Sequence, residues 1–149
     1  MKIQKIISIL EKWAPRAYAE DFDNVGLLVG KSESVCTGIL ITHDVLENVV
    51  DEAITKKHNL IVCFHPIIFS ALKKLTEKSY VERVVAKAIK NDIAIYAIHT
   101  ALDNLKKGVS HSLANALGLS DIKILVPQKN TLKQLTVYVP KENANSLLE

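Results

Sequence analysis

Apolar side chains along this chain alternate between the spacing of amphipathic helices and the unbroken runs of buried strands. The helical spacing, with apolar residues three or four positions apart, predicts helices over residues 2–13, about 45–57, 80–89 and 109–117. The unbroken runs, rich in β-branched residues, predict strands over residues 38–42, 60–65 and 93–99. Because strands and helices follow one another in turn, we expect an α/β fold with a mostly parallel sheet covered by helices on both faces.

Two segments depart from this alternation. Residues 21–30 mix turn-forming residues with a short apolar run, which predicts an irregular loop that passes into a short strand. Residues 134–139 alternate apolar and polar side chains, which predicts a half-exposed strand closed by Pro140. Residues 141–149 resemble the opening turns of a helix without a completed apolar face, so they are either a frayed tail or the start of another unit.

Length and composition bound the class of protein. With 149 residues, 48% of them hydrophobic, the chain is long enough for one compact domain, which we place at residues 1–130. We interpret residues 131–149 as the truncated start of a second or inserted subdomain. No segment has the length of a membrane span and no secretory signal is visible, so a cytoplasmic protein fits best. The net charge of +3 is spread along the chain and gives no electrostatic case for nucleic-acid binding.

The candidate chemistry lies where two predicted strands end. The first ends in His65, and the second ends in His99, which Asp103 follows four residues later. The carboxyl ends of parallel strands are where open α/β sheets hold their ligands, so we expect these three side chains to meet. Imidazole and carboxylate together suit zinc, iron or manganese. The alternative for each histidine is a hydrogen-bonded packing residue.

Several ordered motifs resemble those of one known family. They are the segment 21–30, the segment 64–69, the segment 99–104 and the pair Gly108-Val109. Together they resemble the Nif-three-like family, whose members are called GTP cyclohydrolase 1 type 2 homologues. The resemblance implies an α/β fold, a centre with two divalent metal ions, a cytoplasmic location and homo-oligomeric rings, commonly hexamers. It also implies a nucleotide-like small-molecule substrate and, in many bacterial members, an inserted small domain.

The same resemblance assigns metal ligands residue by residue. His65 matches the second histidine of the family's His-His-Pro element, while His99 and Asp103 match its His-Thr-x-Leu-Asp element. Phe64 stands where the family has the first histidine of the pair, and it offers no lone pair. A histidine and a glutamate from the family's carboxyl-terminal half have no counterpart here. Three of six ligands remain, so we expect one ion or none, and a chain that is weak or inactive as it stands.

Other polar residues have simpler interpretations. Asp44 precedes a predicted helix and is interpreted as its amino-terminal cap. His43 is interpreted as a loop histidine, with an orienting role near the metal as the less favoured option. Asp23 is explained by turn formation. His58 and His111 receive no metal role.

Three functions remain open from the sequence. The first is a metal-dependent hydrolase of a nucleotide-like substrate. The second is a metal-binding or metal-delivery protein without turnover. The third is a partner-binding scaffold with an eroded metal centre, for which Phe64 is the main support.

Overall fold

A four-stranded sheet with the order β1-β4-β3-β2 organises the protein, whose computed structural model describes residues 1–127 and 134–147. The strands are β1 (Gly26–Val29), β2 (Ile39–Thr42), β3 (Leu60–Cys63) and β4 (Ala94–Ala97). Strands β2, β3 and β4 are parallel, and β1 pairs with β4 in the antiparallel sense. The predicted mostly parallel sheet is therefore confirmed, with one antiparallel strand at its edge.

Helices connect and cover these strands. They are α1 (Ile3–Trp13), α2 (Glu47–Thr55), α3 (Tyr80–Lys90), α4 (His99–Asp103) and α5 (Val109–Ala116). The four predicted helices are confirmed with small shifts of their ends, whereas α4 was not predicted. The run that predicted a strand as far as His99 leaves the sheet after Ala97, and His99 begins a helix instead.

The two central strands, β3 and β4, are buried on both faces, whereas Ile39 and Ile41 of the edge strand β2 are exposed. Alternate residues of β3 and β4 point to opposite faces, so each strand contributes to two hydrophobic clusters. One cluster joins the sheet to α2 and α3, and it includes Ile61 and Ile95. The other joins the sheet to α1 and α4, and it includes Leu60 and Tyr96. Strands buried on both faces explain why their sequences read as unbroken apolar runs.

The strand predicted over residues 134–139 is not formed. Residues 134–140 belong to no helix or strand, and Leu135 and Tyr138 are 88% and 95% exposed. Alternating apolar and polar side chains suit a segment to a half-exposed sheet. A strand also needs a neighbouring strand for its backbone hydrogen bonds. One 3-10 turn, Lys141–Asn143, follows. The predicted domain boundary at residue 130 lies outside the described residues and stays a prediction.

No helix within residues 1–127 and 134–147 has both the length and the apolar character needed to cross a membrane. The longest, α1 and α3, have 11 residues each.

The amino-terminal end of α3 is fixed by a reciprocal pair of hydrogen bonds. The Ser79 hydroxyl accepts from the Glu82 backbone N–H at 3.2 Å and donates to the Glu82 carboxylate at 3.2 Å. The same carboxylate also accepts from the backbone and hydroxyl of Thr76 and from the backbone of Lys78. The pKa of Glu82 is lowered from 4.5 to about 2, chiefly by the backbone and side-chain hydrogen bonds from Thr76. Burial acts in the opposite direction and raises the pKa. Glu82 thereby ties the preceding loop to the helix.

Replacing this carboxylate should remove part of the acid sensitivity of the fold. Because folding lowers the pKa of Glu82, its stabilising effect is present above about pH 4.5 and is lost as the pH falls toward about 2. We expect Glu82→Gln to unfold at a lower temperature than the wild type at neutral pH, with the difference shrinking in acid. Thermal unfolding followed by circular dichroism across this pH range measures the effect. Glu52→Gln, at an exposed ion pair with Lys56, is the control, and an equal pH profile in both variants would contradict the prediction.

Candidate metal centre

The carboxyl ends of the three parallel strands place aromatic rings at one edge of the sheet. Backbone hydrogen bonds continue the ladder past the strand ends: Phe64 N–H donates to the Thr42 carbonyl at 3.1 Å, and His65 N–H donates to the His43 carbonyl at 3.0 Å. His99 N–H donates to the Phe64 carbonyl at 3.0 Å. The side chains that follow β2, β3 and β4 are thus held in register with one another.

Three imidazoles surround Phe64 at this edge. The His65 and His99 ring centroids are 5.3 Å apart, and those of His43 and His65 are 4.3 Å apart. The Phe64 ring lies 5.2, 5.1 and 5.4 Å from the rings of His43, His65 and His99. The topology therefore brings His65 and His99 together, and it adds His43, which sequence reasoning had interpreted as a loop residue.

A buried carboxylate holds the His99 ring. Asp23, whose side chain is 0% exposed, lies 2.9 Å through Oδ1 from His99 Nδ1. It also accepts from the Thr100 backbone at 3.1 Å, from the Thr100 hydroxyl and from the Asn24 backbone at 2.7 Å. Burial raises the pKa of Asp23, but the hydrogen bonds from Thr100, His99 and Asn24 outweigh it and leave the pKa below its usual value. Since an ionised carboxylate only accepts, Nδ1 donates and the Nε2 lone pair is left for a ligand.

A second carboxylate holds two further rings. Asp44 Oδ1 lies 2.7 Å from His65 Nδ1, and Asp44 Oδ2 lies 3.1 Å from His43 Nδ1. These hydrogen bonds, with His65 the larger cause, lower the pKa of Asp44. Two ligands of one tetrahedral zinc with bonds of about 2.0 Å lie roughly 3.3 Å apart, so the 2.7 Å contact fits a hydrogen bond better than a shared ion. Asp44 therefore leaves the Nε2 atoms of both rings free.

The interpretation of Asp44 as a helix cap is wrong. Helix α2 begins at Glu47, and Leu46 is its cap residue, without a capping side-chain bond. The Asp44 carboxylate faces the imidazoles instead, because the end of β3 brings His65 beside it. For Asp23, turn formation accounts for its place in the chain but not for its bonds to His99 and Thr100.

The backbone of His99 is held in a conformation that residues other than glycine rarely adopt. Its φ is +27°, at the first residue of α4, where the chain turns from the sheet into the helix. The next residue is fixed by two bonds from Thr100 to Asp23, so the surrounding contacts maintain this strain. Strained backbone of this kind clusters at functional sites.

Asp103 is placed differently from the two histidines. It is the last residue of α4, half-buried, one helical turn after His99. Among the described residues, His43, Asp44 and His65 form the one group of three possible ligands whose atoms all lie within 4.8 Å of one another. The structure thus groups His65 with residues other than Asp103, and the set His65, His99 and Asp103 stays a prediction.

Two further residues with side chains that can bind metals, Cys63 and His58, are excluded as ligands of this centre. Burial raises the pKa of the Cys63 thiol to about 12, so it is a core residue rather than a source of thiolate. His58 packs against Gly38, where a Cβ would come within 2.1 Å of the ring. That contact lies before β2, at the opposite end of the strand from His43.

Fold and site together define an α/β protein with a candidate metal centre at the carboxyl edge of a mostly parallel sheet. The family model described as Duf34/NIF3 (NGG1p interacting factor 3) matches residues 1–148. The chain therefore belongs to the DUF34/NIF3 family. This membership confirms the resemblance seen in the motifs. It is 44% identical to the "GTP cyclohydrolase 1 type 2 homolog" of Bacillus subtilis, over 93% of this chain and 38% of that protein. It is 40% identical to the protein of the same name from Halalkalibacterium halodurans, over 98% of this chain and 40% of that protein.

Solved structures agree with this membership. A Bacillus cereus protein related to NIF3 has a TM-score of 0.82 and 41% identity, covering 86% of this chain and 35% of that one. Reduced HcgD from Methanocaldococcus jannaschii has a TM-score of 0.78 and 28% identity, and the match covers 85% of this chain and 50% of that one. The chain spans less than half the length of the two curated relatives named above.

The buried Asp23 carboxylate should be needed for stability as well as for orienting His99. In Asp23→Asn, an amide nitrogen must replace one of the oxygens that accept hydrogen bonds from Thr100, His99 and Asn24. Leaving buried donors unpaired should lower the free energy of unfolding by about 2 kcal/mol or more. Urea denaturation measures the loss. Asp21→Asn, at an exposed position of the same loop, should change little, and equal stabilities of the two variants would contradict the role assigned to Asp23.

Proposed function

We propose that this chain carries the metal-binding part of a metal-dependent hydrolase that acts on a nucleotide-like substrate. His65, His99 and Asp103 are the proposed ligands of a divalent cation. One observation carries the proposal: His65 and His99 each give Nδ1 to a carboxylate and so leave Nε2 free, with their rings 5.3 Å apart. Carboxylate–histidine pairs of this kind orient the ligands of many protein metal sites.

The donors suit the proposed ion. Imidazole nitrogen with carboxylate oxygen is a ligand set that zinc, iron and manganese accept. A divalent cation supplies Lewis acidity and makes water more acidic at neutral pH. The residues of the chain supply the arrangement: Asp44 and Asp23 fix the orientations of the His65 and His99 rings, and Phe64 packs beside both rings.

The substrate class comes from the relatives. The name GTP cyclohydrolase 1 type 2 homolog belongs to proteins 37–44% identical to this chain, and it supports a nucleotide such as GTP as the substrate to test. The family pattern has a histidine where this chain has Phe64, so we propose that the chain holds at most one ion. An incomplete centre of this kind predicts slow turnover.

Metal content tests the proposed ligands directly. After dialysis against zinc or manganese, we expect the chain to retain one ion, and His65→Ala and His99→Ala to retain none, because each removes one free Nε2. Elemental analysis measures the ratio of metal to protein. His111→Ala, on α5, should bind like the wild type. A wild-type chain that takes up no metal, or an equal loss in His111→Ala, would refute the ligand assignment.

Turnover tests the reaction class separately. We expect the metal-loaded chain to convert GTP slowly, and chromatography of the nucleotide measures this conversion. Adding a chelator should abolish the conversion. The same preparation of His99→Ala should be inactive. Unaltered GTP after long incubation with a chain shown to hold metal would remove the proposed activity while leaving metal binding intact.

A further inference from the structure

Phe64 occupies the centre of the cluster without contributing a ligand atom. Its ring lies between 5.1 and 5.4 Å from three imidazoles, and a phenyl ring has no lone pair to give. Any cation bound among these rings must therefore find its nitrogen donors around Phe64. His65 and His99 are already proposed for this role, which leaves the third imidazole to be explained.

His43 is held in the same manner as the proposed ligands. It follows β2, the neighbour of β3, and its ring stacks on Phe64 with an interplanar angle of 13°. Its Nδ1 lies 3.1 Å from Asp44 Oδ2, while the other oxygen of that carboxylate holds His65. One carboxylate thus orients two imidazoles side by side, with ring centroids 4.3 Å apart.

We propose that His43 is a further ligand of the metal, through Nε2, and that it supplies the nitrogen donor that Phe64 lacks. The proposal rests on the metal binding proposed above and adds a residue to that site. Stacking on Phe64 alone would explain where the ring lies. It would not explain why His43 shares its carboxylate with His65, so that the Nδ1 atoms of both rings face Asp44.

The site is open enough for His43 to be changed without loss of the fold. Its side chain is 67% exposed, so His43→Ala removes an imidazole and little packing. An imidazole introduced at position 64 would lie beside the rings of His65 and His99, where the Phe64 ring lies now. A double variant, His43→Ala with Phe64→His, therefore tests whether position 64 can provide what position 43 loses.

The experiment measures zinc binding to the full chain by equilibrium dialysis. We expect His43→Ala to raise the zinc dissociation constant about tenfold or more, a loss of the size that even orienting partners of metal ligands cause. His111→Ala should match the wild type, and the double variant should recover most of the lost affinity. In the wild type, nitrogen-15 NMR should show the Nε2 resonance of His43 shifting on addition of one equivalent of zinc, which a purely supporting ring would not do.

The outcomes separate the two proposals. If the wild type binds zinc in a manner that depends on His65 and His99, but His43→Ala binds it equally well or the His43 Nε2 resonance does not move, this inference alone is overturned. If the wild type binds no zinc, the proposed function and this inference fall together. A double variant as weak as His43→Ala would overturn the claim that position 43 compensates for position 64.

Discussion

The buried Asp23 carboxylate connects the parts of the molecule that make the site. It reaches across from the loop before β1 to the first two residues of α4, 76 and 77 positions further along the chain. A charge removed from water is tolerated only when hydrogen bonds replace its hydration, and Asp23 has donors from Asn24, His99 and Thr100. The same donors fix the loop, the helix start and the His99 ring together, so the stability of this corner and the geometry of the site depend on one group.

Asp44 plays a corresponding part on the other side of the sheet edge. It follows β2 and holds His65, which follows β3, so the pairing of two adjacent parallel strands sets the distance that its carboxylate must span. Asp23 orients His99, which follows β4, from the loop before β1, and Asp44 orients His65, which follows β3, from the end of β2. The arrangement therefore needs the sheet register to be correct, because a slip of one residue would turn His65 to the opposite face.

Local sequence patterns could predict the strands and the meeting of His65 with His99, because both follow from apolar runs that end in histidine. They could not predict the partners of these histidines. Asp23 lies in an irregular loop with no periodic signal, and Asp44 stands where a helix cap is also expected, so only the fold shows which role it takes. The strand predicted over residues 134–139 failed for the related reason that alternation describes one strand and not its neighbour.

Phe64 shows that packing at a position and the capacity to bind a metal ion are separate properties. The ring fits between three imidazoles by shape and stacking, which are properties that it shares with the histidine of the family pattern. A phenyl ring lacks a nitrogen lone pair, and this difference from histidine does not affect how the ring packs. A family match over nearly the whole chain is carried by the many residues that pack the two clusters, whereas metal binding depends on a few nitrogen and oxygen atoms. The fold follows from membership in the family, but the number of ions must be argued from the donors at this edge.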